Sequence, residues 1–298
     1  MKAEDFTAMS NTSLSPILFS LWIVWAVFLF GGGLIGKPDA ERTRRMPRWT
    51  RMASSLVLVI AAWGYALFYR EQVYVDIAAL IAVGMTFCFI GDLFMAQLIL
   101  QDDRHILGGI GAFGLGHIAY IAAFLLLLSR SQPLLDWRNA YTANELNTGL
   151  HQPNINGLVF IGCWLFAAVV WYRVIYRAAK ERTTLHLAAL PYALLLATTV
   201  GAALNLTLYA WDLYSMSNAT PVVSASNIVG TESSTALLNL VRISVPALGA
   251  LLFFISDFIL AARLFNKAYF RMIDDWIWLT YGPGQMLIVY GVGILLLT

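Results

Sequence analysis

The feature that most limits what this chain can fold into is a series of eight apolar runs, at 16–36, 53–69, 76–101, 106–129, 155–176, 185–209, 237–265 and 276–298. Each offers about the twenty residues, at 1.5 Å apiece, that an α-helix needs to cross the hydrocarbon of a bilayer. In lipid every backbone N–H and C=O must be satisfied within the protein, so runs of this length read as helices. Only 12% of the residues are charged and 59% are hydrophobic, about half the charge share of a soluble domain. The expectation is an all-α, multi-pass integral membrane protein, a single transmembrane domain of eight bundled helices. The first run has neither a basic leader nor a small-residue cleavage pattern, and reads as a spanning helix instead of a cleaved signal.

Basic residues orient such a bundle, because loops on the cytoplasmic side retain Lys and Arg. Fourteen fall in the first, third, fifth and seventh connections or the helix ends beside them, from Lys37 through Arg51, Arg104, the cluster Arg173 to Arg182, and Arg263 to Arg271. The other side has Lys2, Arg70, Arg130 and Arg138, and Arg242 lies inside the seventh run, where its stem can carry the charge to the interface. Both termini are therefore expected outside, N-out/C-out. The long connections 130–154 and 210–236 fall on that outer side and are rich in Asn, Ser and Thr. Asn11-Thr12-Ser13 and Asn218-Ala219-Thr220 match the glycosylation sequon there. Cys88 and Cys163 sit in apolar runs and read as small core residues without a disulfide framework. The net charge of +2 says nothing about nucleic acid, because in a membrane protein what matters is where the basic residues fall; no nucleic-acid partner is expected.

Against that background two short stretches stand out, Ile90-Gly91-Asp92 and Ile255-Ser256-Asp257. A carboxylate at a helix centre costs about 2.5–3.5 kcal/mol on insertion scales, and such residues usually face a protein interior and serve a function. Counted from the cytoplasmic ends of their runs, Asp92, His117, Asp257 and Gln285 fall roughly 12–17 Å deep, in one layer. Tyr120 follows His117 by three residues and Tyr281 precedes Gln285 by four, so each shares its partner's helical face. Asp92, Asp257 and His117 are the candidate catalytic groups. Tyr120, Tyr281, Gln285 and Ser256 are candidates for substrate contact or support. Two carboxyls in one apolar interior divide naturally into a protonated acid and an ionised base. No paired His or Cys spacing supports a metal site, and no cofactor is expected. Gly108, Gly109, Gly111, Gly114 and Gly116 read as a small-residue packing face on the fourth helix. Asp102, Asp103 and His105 read as a solvated turn.

The run FIGDLF at 89–94, then GGIGAFGLGHIAYIAAF at 108–124, GALLFFISDFILAARLF at 249–265 and YGPGQMLIVYG at 281–291 resemble the YhhN family of polytopic membrane proteins, which includes lysoplasmalogenases. The resemblance implies an eight-helix bundle and hydrolysis of the vinyl ether bond of a lysoplasmalogen, to a fatty aldehyde and a glycerophospho-ethanolamine or -choline. It implies Asp92 and Asp257 as the essential pair, with His117 and Tyr120 in the block between them. The substrate would be a lysophospholipid within the membrane, its head group near the cytoplasmic interface beside Arg44, Arg45, Arg48 and Arg182. The chain departs from compact members in its two outer connections, its richly basic first loop, and Pro283, which is expected to kink or break the last helix.

Two further readings compete. A proton-coupled transporter or binding protein for an amphiphile would also bury acids and would interrupt helices near its site, as Gly282-Pro283-Gly284 suggests. An intramembrane aspartyl protease fits poorly, because Asp92 lacks the preceding glycine of a G-x-G-D pattern and no Pro-Ala-Leu follows the seventh run.

Overall fold

A computed structural model describes residues 3–69, 73–102, 104–130, 156–177, 184–219 and 231–296. They form eight helices: α1 Ala3–Ile35, α2 Arg48–Phe68, α3 Val75–Met95, α4 Arg104–Arg130, α5 Gly157–Trp171 continued by a π-helical turn Tyr172–Tyr176, α6 Thr184–Ala219, α7 Thr231–Asn266 and α8 Ile273–Leu296. No strand occurs among the described residues. All eight contain a stretch long and apolar enough to cross a membrane, so the protein is a multi-pass bundle. Thr220, Asp103, Arg182 and most of the two outer connections lie outside the described residues.

Several helix ends differ from the apolar runs, for local reasons. α2 begins at Arg48, five residues before its run, because Pro47 stands at the N-cap with φ −61° and proline suits a helix start. Its first turn therefore contains Arg48 and Arg51. α8 begins at Ile273, with Asp274 and Asp275 in its first turn, where acids complement the helix dipole. α3 stops at Met95, six residues before its run ends; Gln97 takes φ 57° and turns the chain away. Asp92 thus sits in the last turn of α3 and not in mid-helix.

The bundle closes through glycines. A Cβ at Gly116 of α4 would come within 2.9 Å of the Gly84 carbonyl on α3, and one at Gly91 would meet the Phe113 ring at 2.8 Å. Likewise a Cβ added at Gly249 of α7 would come within 2.7 Å of the Gly284 carbonyl on α8, and one at Gly284 within 2.9 Å of the Gly249 carbonyl. The small-residue face expected of α4 divides in two. Gly109 and Gly116 meet α3 and Gly108 meets Phe94, whereas Gly111 has nothing within 4 Å and Gly114 makes ordinary contact with Leu195. Pro283 does not break α8, which stays helical through it. Its neighbours Gly282 and Gly284 let Leu29 and the α7 backbone pack tightly there, and such packing sustains proline within membrane helices.

Polar groups tie the ends. At one end Asp275 accepts from the backbone N–H groups of Arg45 and Met46 at 2.7 and 3.0 Å. Met272 N–H donates to Arg42 O and Asp274 N–H to Thr43 O, both at 2.9 Å. The first loop is thereby stapled to the α7–α8 turn, and Arg263 pairs with Asp274 at 2.5 Å. At the other end Arg130 of α4 pairs with Asp76 of α3 at 2.5 Å. Asn205 of α6 accepts from Asn156 N–H at 2.7 Å, which fixes the start of α5. α5 packs along α6, and its outward face, with Leu158, Leu165 and Phe166, is exposed, as a lipid-facing helix requires.

Candidate active site

The two aspartates occupy different microenvironments. Asp92, 3% exposed, accepts hydrogen bonds on Oδ2 from the Ser55 hydroxyl of α2 and from Tyr281 of α8, the latter at 3.0 Å. Asp257 of α7, 8% exposed, accepts from the Tyr192 hydroxyl of α6. The carboxylates are not hydrogen-bonded to each other, yet lie within electrostatic reach. Three rings stand beside them: Phe113 packs edge-on to Tyr281 and to Phe253, both at 6.1 Å, and Phe253 lies 5.1 Å from Tyr281.

Only one carboxylate faces open space. A cleft of about 740 Å³, counting its open mouth, runs between α3, α4, α5, α6 and α7. Among the described residues Asp257 is the only charged one lining it, and Tyr192 supplies a hydroxyl beside it; Phe113, Leu196 and Phe254 also line it. Asp92 does not line the cleft. It lies behind Phe113, whose ring covers the neighbouring Gly91.

The remaining expected residues divide between these networks and others. Tyr281 belongs with Asp92. Tyr120 donates instead to Gln285 Oε1 at 2.7 Å, a buried pair joining α4 to α8. His117 bonds neither aspartate; its Nδ1 lies 3.0 Å from Thr199 Oγ1 and its ring packs 4.5 Å from Phe253. Ser256 is turned away and donates to Ile277 O at 3.1 Å, linking α7 to α8. Ser55, Tyr192 and Thr199 complete the cluster without having been singled out by spacing. Their depth was nonetheless available: Ser55 is seven residues into α2 and Tyr192 eight into α6, roughly 10–12 Å from one end.

Arg51 adds a buried cation on the Asp92 side. It is 8% exposed, lies 5.4 Å over the Trp278 ring, and sits one turn before Ser55. Trp278 in turn packs 5.2 Å from Tyr281. Arg45, expected at the interface for phosphate, is spent on Gly36 O and Leu34 O at 2.8 and 3.1 Å, closing the end of α1. Asp102 pairs with Arg104 at the surface, which holds its carboxyl below the usual range.

Fold and cluster together define a membrane-embedded helical protein with a carboxylate facing an apolar cleft in its interior. The chain belongs to the YhhN family, whose model matches residues 46–292. Comparison with curated proteins and with solved structures gives no match. The matched stretch includes both aspartates and each of the partners described above.

Proposed function

We propose that the protein is a membrane-embedded ether hydrolase of the lysoplasmalogenase kind, cleaving the vinyl ether of a lysophospholipid. The observation that carries this reading is Asp257, a lone carboxyl with a tyrosine partner on the wall of an apolar cleft inside the membrane spans. Family membership supports it, since the family includes lysoplasmalogenases.

The chemistry suits the site. Asp257 gives its proton to the alkene carbon distal to the ether oxygen, which leaves an oxocarbenium ion. Water adds to the carbon bonded to the ether oxygen, and the hemiacetal collapses to aldehyde and alcohol. Protonating carbon is slow near neutral pH unless the acid is held against it, and the cleft wall provides that position. Asp92, fixed by Ser55 and Tyr281, offsets the cation through its charge, as the second carboxyl does in glycoside hydrolysis. The apolar cleft accepts a single alkyl chain and keeps bulk water from the cation. The transporter reading loses the support it drew from Gly282-Pro283-Gly284, because α8 is continuous there.

The test uses purified protein with a lysoplasmalogen and its saturated ether analogue. Aldehyde is expected from the first alone. Release from neither, with uptake into proteoliposomes instead, sinks the hydrolase reading.

A further inference from the structure

We infer that Thr199, on α6 and in contact with neither aspartate, is a positioning residue that fixes the tautomer of His117 and leaves Nε2 as a bare lone pair within the bundle. A threonine hydroxyl has a single proton, and a backbone carbonyl can only accept. Thr199 Oγ1 lies 3.2 Å from Leu195 O one turn earlier in α6 and donates to it. The 3.0 Å contact with His117 Nδ1 must therefore take its proton from the ring. His117 is 1% exposed and packs against Phe253, Tyr120 and Tyr192; its ring bonds no carboxylate. An unpaired buried charge is costly, so the ring is neutral, with one proton, and that proton is on Nδ1. Nε2 is then an acceptor, buried and without a protein partner among the described residues.

A buried acceptor of this kind is made for an O–H donor. Its use in turnover rests on the hydrolase reading above; the tautomer itself does not. His117 does not line the cleft, but its ring packs 6.2 Å from that of Tyr192, the donor to Asp257 on the cleft wall. As the water oxygen bonds the oxocarbenium carbon, one O–H bond breaks and its proton passes to Nε2. When the hemiacetal collapses, the carbon–oxygen bond to glycerol breaks and the imidazolium returns that proton to the glycerol oxygen. The proton on the new aldehyde oxygen goes back to the Asp257 carboxylate. One water is consumed and both groups end as they began.

Nitrogen NMR of histidine-labelled protein in nanodiscs reads the tautomer directly, with His117→Gln identifying the resonance among the four histidines. Wild type and Thr199→Ser are expected to hold the Nδ1–H form, and the isosteric Thr199→Val to shift toward Nε2–H. Aldehyde release should persist in Thr199→Ser and fall at least roughly tenfold in Thr199→Val, as loss of an acid–base group does. An Nε2–H ring in wild type, or an unchanged ring in Thr199→Val, overturns the assignment. A shifted tautomer with full turnover overturns the part given to the lone pair. The expected tautomers without aldehyde from wild type uphold the positioning role and reject the hydrolase reading.

Discussion

At the scale of single residues, the two aspartates differ in what a partner's loss would do. Tyr192→Phe keeps the ring that lines the cleft and removes only the hydroxyl that donates to Asp257. A buried carboxyl deprived of a donor costs about 1–3 kcal/mol, so thermal unfolding should shift modestly while aldehyde release drops by about tenfold or more. Ser55→Ala, behind Phe113, should affect stability as much and turnover less, because Asp92 keeps its bond from Tyr281. Equal loss of turnover in both variants would contradict a division between a cleft-facing acid and a shielded carboxylate. Both aspartates were legible in the sequence because a carboxylate in an apolar run is an energetic anomaly visible without a structure. Tyr192 and Ser55 were not, because the spacing rules that linked Tyr120 to His117 and Tyr281 to Gln285 act along one helix, and these partners come from others. Within α4 a shared face does not make a bond: Tyr120 and His117 pack ring to ring, while Tyr120 donates to Gln285 of α8 and His117 meets Thr199 of α6.

At the scale of elements, the glycines of α3 and α4 make the argument testable, because one helix supplies its own control. Gly116→Ala would drive a Cβ to 2.7 Å from Cys88 Sγ and 2.9 Å from the Gly84 carbonyl. Parting the two helices should cost about 1–3 kcal/mol, read as a lower melting temperature in detergent. Gly111→Ala, five residues earlier in the same helix, meets nothing within 4 Å and should be neutral or stabilise by up to about 1 kcal/mol through the lower chain entropy of alanine. If both substitutions destabilise equally, close α3–α4 approach is not what holds the site. The five glycines read as one face in sequence because composition marks small residues without telling which side of a helix meets a neighbour. Pro283 does not break α8: a proline weakens a helix locally, and Gly282 and Gly284 pack tightly against α1 and α7 there.

For the whole molecule, eight spans were legible from apolar run length alone, while the ends shifted wherever a cap or turn overrode hydropathy, as at Pro47 and Gln97. The staple between the first loop and the α7–α8 turn was invisible to the sequence, since it consists of hydrogen bonds, from backbone and from Asp275, between segments some 230 positions apart. It makes orientation a single measurable property of the molecule. Arg42 and Lys267 are exposed on the stapled end, and Val73, 77% exposed, lies at the other end of the bundle. With Cys163→Ala, and Cys88 fully buried, single cysteines can be placed at these positions and tested with a membrane-impermeant maleimide. The distribution of basic residues predicts that the stapled end is cytoplasmic. Val73→Cys should therefore label in intact cells, whereas Arg42→Cys and Lys267→Cys should label only after permeabilisation. The reverse pattern would invert the bundle and turn the end of the cleft nearest Phe265 outward. Opposite behaviour of positions 42 and 267 would break the staple itself, because a loop and a turn joined by backbone hydrogen bonds cannot lie on different sides of a membrane.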